Sequence, residues 1–395
     1  MTGAQRRAVA LLAIGQTLTY AGVYYAFPAL LPALEAKTGW AKGALALGPT
    51  LSYLLMAGLT PLTGRLVDRG LGGEMLAFLP VPAAMAIALM GFVTGQTQWL
   101  ALWAVVGISQ AGCLYETCFS FLIRRLGGEA RRAIVQVTLI AGFSGTIAFP
   151  FGHWMAQAAG AEGALIGYAS MMVLIGVPAN IAGVRILRKT TGPAGSERHA
   201  APSGRLRLAL SRPAFWALSA LLALAYMNHG ILITYVLELF TARGAGAGEA
   251  AFAAASIGPC QVLGRFLLLM NEARIGNRRA TATALLGLTG AALALWLAGF
   301  APAAIFLTAM LQGAGIGIIS IMRPVLIAEH LGREGFGAIS GAVAVAPILA
   351  SAAAPVVGAW LLDAGAAPLV IATCAGLALA ALAILLRLRP AGGEG

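Results

Sequence analysis

The sequence has little charge and few of the side chains that enzymes use for catalysis. Only 10% of its 395 residues are charged, and it holds four histidines and four cysteines. The histidines are scattered and the cysteines form no CxxC pair, so neither a metal cluster nor a catalytic triad is indicated. No Gly-x-x-x-x-Gly-Lys-Ser/Thr motif occurs, which argues against ATP hydrolysis. We therefore predict that the chain is not an enzyme and uses no metal or cofactor.

The sequence is far more apolar than that of a soluble protein. Hydrophobic residues make up 59% of the chain, and the mean hydropathy is +0.86. This composition is typical of an all-α membrane protein that crosses the bilayer several times. A net charge of +12 could suggest a nucleic-acid partner. The basic residues lie in short segments between apolar runs, however, so membrane topology explains them and we expect no nucleic acid.

Apolar runs of about 20 residues predict twelve transmembrane helices, six on each side of a polar stretch rich in glycine, proline and arginine. We divide the chain into an N-terminal six-helix bundle (1–187), a cytoplasmic linker (188–213) and a C-terminal six-helix bundle (214–395). The end of the linker, 205–212, spaces leucines among arginines, which suits a short helix on an anionic membrane surface or a solvated loop. The predicted spans are near residues 8–34, 43–63, 75–94, 98–123, 133–157, 164–187, 214–240, 250–270, 280–300, 303–328, 338–361 and 367–387.

The distribution of lysine and arginine orients the predicted helices. With the amino terminus in the cytosol, 21 of these residues lie on the cytosolic side and three, Lys37, Lys42 and Arg243, lie on the opposite side. Cytosolic loops carry such an excess of positive charge. We predict an integral protein of the bacterial cytoplasmic (inner) membrane with both termini in the cytoplasm, and we expect a monomer.

An internal repeat relates the two bundles. Residues 126–155 and 331–360 align without a gap, and both contain a Leu-Gly-x-Glu turn followed by a proline at equal spacing, Pro150 or Pro355. The bundles are therefore predicted to be parallel, pseudo-symmetric copies. The other matches are Gly48-Pro49 with Gly258-Pro259, and Gln110 with Gln312.

The loop after the second helix reads Gly-Arg-Leu-Val-Asp-Arg at 64–69 and resembles the signature turn of the major facilitator superfamily. Twelve spans, two parallel halves and a long basic central loop extend this resemblance over the whole chain. It implies a secondary transporter in which two six-helix bundles alternate access to a central site. It also implies a cytosolic gate at Gly64, Asp68 and Arg69, where charged groups can cap helix ends and pair with neighbouring charges.

The sequence departs from the family pattern at several positions. Gly73 and Glu74 replace the basic pair that ends the signature, so we expect a weaker or differently built gate. Gly107 stands about where proton antiporters of the family carry an arginine, which argues against drug-proton antiport. Tyr115 and the arginine pair at 124–125 are instead similar to the monocarboxylate and oxalate branch.

The resemblance implies that the first, fourth, seventh and tenth helices line a central cavity. At about 100° per residue, each of these predicted helices carries polar residues on one face, which in the first helix includes Tyr20, Tyr24 and Phe27. Counting about 1.5 Å per residue places six residues near the bilayer middle, where a substrate would bind. The alternative is that they only hydrogen-bond between helices. The six are Tyr20, Tyr24, Gln110, Asn228, Gln261 and Gln312.

Three charged residues lie within the predicted spans. Glu116 is the only acid placed well inside one, where it suits proton coupling, an ion pair with an arginine or, near the cytosolic end, solvation. Arg265 follows Gln261 by one turn, so it suits a bidentate contact with a carboxylate or other anion unless it is an ion-pair partner. Arg323 could contact the substrate or, being close to the cytosolic boundary, extend to the interface.

We predict a secondary active transporter of a small solute, coupled to protons and moving an organic anion. The expected partners are this substrate, protons and the lipid bilayer. Two alternatives remain open. One is the efflux of a neutral or cationic hydrophobic compound, and the other is a non-transporting membrane sensor with the same fold.

Overall fold

The computed structural model describes residues 1–191, 205–271, 275–332 and 336–388. All regular secondary structure in these ranges is helical. Half of the predicted linker, residues 192–204, lies outside them. Ten helical stretches among the described residues are long and apolar enough to cross a membrane.

Two of these ten stretches, of 59 and 49 residues, are long enough for two spans, and a break in the backbone divides each of them. Gly160 has φ 69° and ψ −175° in one, and Ala366 has φ 51° and ψ −159° in the other, values that end a helix. A positive φ is common for glycine and rare for alanine. The described residues thus contain the twelve predicted helices, which confirms the fold class. We number them one to twelve in chain order.

Several spanning helices consist of consecutive helical segments. A short helix, Arg205–Leu210, precedes helix seven. Helix one comprises Gly3–Tyr20, Ala21–Tyr25 and Ala26–Thr38, and helix two is Lys42–Asp68. Helix three comprises Gly72–Phe78, Pro80–Leu89 and Met90–Phe92, and helix four comprises Gln96–Cys113 and Tyr115–Leu126. Helices five and six are formed by Ala130–Ala141, Ser144–Met171, Met172–Gly176 and Val177–Thr190, and Gly160 divides the two. Helix seven comprises Pro213–Thr234 and Val236–Thr241, helix eight is Ala247–Met270, helix nine is Asn277–Leu297 and helix ten is Ala304–Leu331. Helices eleven and twelve are formed by Phe336–Arg387, and Gly365 and Ala366 divide the two.

The chain forms two compact units, Met1–Glu197 and Arg198–Gly395. Each unit has its own hydrophobic core, to which Leu12 and Leu122 belong in the first and Leu285 in the second. Large apolar side chains also remain exposed around both units. Such surfaces are expected where lipid rather than water surrounds the helices.

The short helix Arg205–Leu210 packs on the C-terminal unit. Ala209 is buried, and Leu206 contacts the core of that unit. The Trp216 Nε1–H donates to the carbonyl of Leu210 over 3.0 Å, which ties this helix to the start of helix seven. The segment is thus helical, as the first of its two interpretations, a short helix rather than a solvated loop, predicted. Its contact with an anionic membrane surface stays a prediction.

The repeated Leu-Gly sequence ends a helix in a similar way in both units. Helix four ends at Leu126 and helix ten at Leu331, and the glycine that follows has a φ of 51° at Gly127 and 91° at Gly332. Each glycine N–H donates to the carbonyl four residues earlier and closes the last turn. Glycine enters this region of φ without strain, which explains why it recurs at both positions.

Glycines allow helices two and four, and helices eight and ten, to cross in close contact. A Cβ atom on Gly107 would lie 2.6 Å from the carbonyl oxygen of Ser52, and one on Gly264 would lie 2.6 Å from that of Ala314. These distances are shorter than any normal contact, so only glycine fits. The close crossing at Gly107 explains the missing arginine, because no side chain can be placed there.

Replacing Gly107 by alanine is expected to lower the stability of the N-terminal unit. The added methyl group forces helices two and four apart, at a cost of about 1–3 kcal/mol for overpacking. Thermal unfolding in detergent at a fixed heating rate measures this cost as a lower apparent midpoint. Gly58→Ala is the matched control, because a Cβ atom at that position in helix two meets nothing within 4 Å. Equal midpoints for the two variants would contradict the close crossing.

Candidate functional site

Helix one contains a π-helical turn, Ala21–Tyr25, between two α-helical segments. Such turns insert one residue and often occur at functional positions. The carbonyl of Val23, within the turn, accepts from Gln110 Nε2–H over 2.9 Å, while Gln110 Oε1 accepts from Ser52 Oγ–H over 2.6 Å. Gln110 on helix four therefore joins helices one and two.

A continuous group of aromatic rings, which we call the tyrosine cluster, surrounds this turn. The rings of Tyr20 and Tyr115 have centroids 4.5 Å apart. Tyr24 contacts Tyr20, Tyr25 and Tyr53 at centroid distances of 6.2, 4.8 and 6.0 Å. All five side chains are partly exposed. The structure thus brings the predicted pair Tyr20 and Tyr24 together with three further tyrosines from helices one, two and four.

Helix four is interrupted at Leu114, whose backbone is extended at φ −95° and ψ −164°. An interruption leaves backbone groups without helical partners, and helix one supplies partners for them. Gln16, which is fully buried, donates its Nε2–H to the carbonyl of Cys113 over 2.8 Å. The hydroxyl of Tyr20 accepts from the backbone of Tyr115. Helix one therefore stabilises the discontinuity in helix four.

Glu116 lies in the first turn of the helical segment that follows the break. Its side chain is exposed, and no salt bridge joins it to any side chain that the structure describes. The positive end of the helix dipole favours a carboxylate at this position. Arg124 and Arg125 lie at the opposite end of the same segment. An ion pair, one of the three interpretations of Glu116, is thus not found in the described part of the chain.

Three polar side chains meet in the C-terminal unit. Gln312 Nε2–H donates to Asn228 Oδ1 over 3.1 Å and lies 3.4 Å from His229 Nδ1. Asn228 Nδ2–H donates to the carbonyl of Cys374 over 2.8 Å, so the network joins helices seven, ten and twelve. Asn228 and Gln312 are fully buried, and Gln312 Oε1 has no hydrogen-bond partner within the described ranges. The network links helices and leaves one acceptor that a ligand or water could use.

Gln261 and Arg265 lie one turn apart on helix eight, where it crosses helix ten. Gln261 is buried, and its backbone lies against Gly317. Arg265 is partly exposed, and its Nε–H donates to the carbonyl of Gly317 over 3.4 Å. Arg323 on helix ten is also partly exposed, and among the described residues the structure joins it to none of the other predicted site residues.

The predicted gate turn closes helix two with a Schellman motif at residues 66–71. Gly70 has φ 94°, and the N–H groups of residues 71 and 70 donate to the carbonyls of residues 66 and 67. Gly64 and Arg69 are exposed. The side chain of Asp68 lies outside the described part of the structure, so its gate role stays a prediction.

The charged contact beside this turn involves two residues that sequence analysis did not pair. Arg188, near the end of helix six, donates from Nη2 to Glu74 Oε2 over 2.6 Å and lies 3.4 Å from the carbonyl of Gly70. A Cβ atom on Gly73 would lie 2.7 Å from Val184 Cγ1 and 2.9 Å from Arg188 Nη2, so glycine there makes room for both side chains. The ionic contact therefore uses an acid on helix three, where the family pattern has bases, and an arginine on helix six.

Sequence analysis missed three residues that contact the predicted site. Ser52 and Tyr53 are on helix two, which was not expected to line the cavity, and Tyr25 would point away from Tyr24 on a regular helix. Composition carried a signal that could have found the tyrosines, since five of the eight in the chain lie within its first 115 residues.

Comparison with known proteins agrees with this architecture. A family model of the Major Facilitator Superfamily matches residues 12–346. A crystal structure of a bacterial homologue of the human lysosomal transporter Spinster is 15% identical over 98% of this chain and 95% of that chain, with a TM-score of 0.67. The nucleoside transporter NupG is 10% identical over 98% of both chains, with a TM-score of 0.69, and identities this low establish the fold alone. No curated protein sequence gives a significant match. Because the family model covers most of its length, the chain belongs to the major facilitator superfamily.

Proposed function

We propose that the protein is a secondary active transporter that moves a small organic anion together with protons. The observation that carries the proposal is that two ionisable side chains within the spanning helices, Glu116 and Arg265, remain at least partly exposed. Charged groups are costly in lipid and are retained where they meet a hydrated path or a polar solute. The family also consists of membrane proteins that use such groups in transport, as the resemblance implied.

In this proposal Arg265 binds the anion. Its contact with the carbonyl of Gly317 orients the guanidinium at the crossing of helices eight and ten. A planar guanidinium recognises a carboxylate through paired hydrogen bonds. Gln261 lies one turn away on the same helix. These side chains, with the Asn228 and Gln312 network and Arg323, form the substrate contacts that we assign to the C-terminal unit.

Glu116 carries the proton. It follows the break at Leu114, where a side chain of helix one rather than the backbone of helix four forms a hydrogen bond with the carbonyl of Cys113. A carboxylate in such a place can gain a proton when its surroundings become less polar and release it when they become more so. Tyr20, Tyr24 and Gln110 supply the neighbouring solute contacts in the N-terminal unit. The residues of the signature turn, Gly64, Asp68 and Arg69, form the cytosolic gate.

Export of a cationic hydrophobic compound is the alternative with an observation in its favour. Glu116 is exposed next to the tyrosine cluster, and carboxylates and aromatic rings both attract organic cations. The solved relatives include a homologue of a lysosomal transporter and a nucleoside transporter, which supports transport and leaves the solute open. The distribution of basic residues supports an inner-membrane protein with both termini in the cytoplasm.

Uptake into proteoliposomes with an acidic exterior tests the proposal. A labelled carboxylate is expected to accumulate, and an ionophore that collapses the pH gradient is expected to abolish the accumulation. Protein-free liposomes are the necessary control, because weak acids also enter an alkaline interior unaided. Uptake that is unchanged by the ionophore would remove the proton from the proposal. Transport of organic cations without transport of any carboxylate would replace the anion by the export alternative.

A further inference from the structure

We propose that the tyrosine cluster binds a planar aromatic ring carried by the transported solute. This inference deepens the proposed transport function and rests on it. The cluster forms one continuous aromatic surface in the N-terminal unit, and Phe119 extends it. Phe119 stacks on Tyr115, with centroids 5.0 Å apart and planes at 13°. Phe149, which is fully buried, packs against Tyr25 at 6.0 Å. The rings of the surface itself come from helices one, two and four.

Two tyrosines outside the cluster show what a purely structural tyrosine looks like in this protein. Tyr168 and Tyr235 are 0% and 1% exposed. Their hydroxyls donate to the carbonyls of Ala148 and Pro355, each over 2.5 Å. Close packing and hydrogen bonding to the backbone hold such side chains in the core. The five tyrosines of the cluster are all partly exposed, so their rings keep surface that packing within the unit does not use. Tyr226 outside the cluster is partly exposed too, and the feature that distinguishes the cluster is that its exposed rings contact one another.

The acid beside the cluster indicates that the open side of the cluster meets water rather than acyl chains. Glu116 is exposed immediately after Tyr115, and its charge lies close enough to interact with Tyr20. An exposed carboxylate is costly against acyl chains. A face that gathers one acid and five tyrosines is therefore suited to a hydrated path through which a solute passes.

The chemistry of this face favours an aromatic ring over an aliphatic one. Tyr24 and Tyr53 are hydrogen-bonded through their side chains, which satisfies their polar ends and leaves the rings for contact. Neighbouring rings of the cluster meet at angles between 41° and 71°. Tilted arrangements of this kind present both ring faces and ring edges, and a further aromatic ring can pair with either. A saturated ring gains contact area but not this complementarity.

Ligand-induced shifts in thermal unfolding of the full-length protein in detergent test the inference. The probes are two matched pairs, benzoate with cyclohexanecarboxylate and phenylacetate with cyclohexylacetate, together with the cation benzylammonium. The members of each pair have the same charge and the same number of heavy atoms. The aromatic member of at least one pair is expected to bind about tenfold more tightly. Tyr24→Leu should remove the difference, whereas Tyr24→Phe and the control Tyr226→Leu, altered outside the cluster, should retain it.

The outcomes distinguish a failure of this inference from a failure of the proposed transport function. Equal binding of aromatic and saturated acids overturns the aromatic inference and leaves anion transport in place. Binding of benzylammonium alone, lost in Tyr24→Leu, supports the aromatic site and contradicts the anion proposal. Failure of every aromatic probe to bind overturns the inference. If Tyr24→Leu unfolds without ligand at a much lower temperature than the wild type, Tyr53→Leu takes its place in the same comparison.

Discussion

Replacing Arg265 by glutamine is expected to abolish uptake of an organic anion while the protein stays folded. Removing one partner of a partly buried charged contact costs about 2–4 kcal/mol, roughly a 30- to 1,000-fold loss of affinity. Uptake by proteoliposomes of a carboxylate that the wild type transports measures this loss. Arg265→Lys is expected to restore only part of the uptake, because an ammonium keeps the charge but not the planar pair of donors.

The matched control for this prediction is Arg279→Gln, since Arg279 is exposed near the start of helix nine and outside the proposed site. Arg265 also donates to the carbonyl of Gly317, so its loss could act by loosening the crossing of helices eight and ten. Thermal unfolding separates the two effects, because a substrate contact can be lost without a change in midpoint. Anion uptake at the wild-type rate in Arg265→Gln would contradict the proposed role.

The twelve helices could be predicted because hydropathy depends on the composition of whole segments, not on the position of any one side chain. The repeat had a similar physical basis. The glycines at 127 and 332 recur because both follow the last turn of a helix in a region of φ that other residues avoid. Gly107 was noticed as a departure from the family pattern, but only the distance to Ser52 explains it.

Helix faces were harder to predict because regular periodicity fails where a helix is distorted. A fixed angle of about 100° per residue placed Tyr20, Tyr24 and Phe27 on one face. The π-turn Ala21–Tyr25 adds a residue, so the helix beyond it is rotated. Phe27 is consequently buried and meets Trp103 at 5.7 Å rather than the tyrosines. Sequence periodicity contains no signal for such a turn.

The environment of Glu116 depended on a second distortion that the sequence did not reveal. Residues 98–123 were predicted as one continuous span, and depth was counted along an unbroken helix. The extended backbone at Leu114 ends one helical segment and starts another, which places Glu116 in a first turn with its side chain exposed. A carboxylate at the start of a helix is stabilised in its ionised form, whereas one in a continuous apolar helix is not. The proton role that we propose for Glu116 therefore requires a change in these surroundings.

Replacing Glu116 by glutamine is expected to abolish proton-driven accumulation and to preserve exchange of the solute between two sides at equal pH. Glutamine has the shape of a protonated glutamate and cannot release a proton, so the solute still binds and crosses but the pH gradient no longer does work on it. For one proton per anion, accumulation should fall from about tenfold per pH unit to equal concentrations. Both quantities are measured in the same proteoliposomes, with the level in protein-free liposomes subtracted.

Glu249→Gln is the matched control for this substitution, because Glu249 is also an exposed acid in the first turn of a spanning helix, helix eight. It should keep both accumulation and exchange. Loss of exchange together with accumulation in Glu116→Gln, at an unchanged unfolding midpoint, would assign Glu116 to solute binding instead and favour a cationic solute. Accumulation at the wild-type level in Glu116→Gln would contradict the proposed proton role, because glutamine cannot carry the proton. Measuring accumulation and exchange together thus distinguishes a residue that carries the coupling proton from one that binds the transported solute.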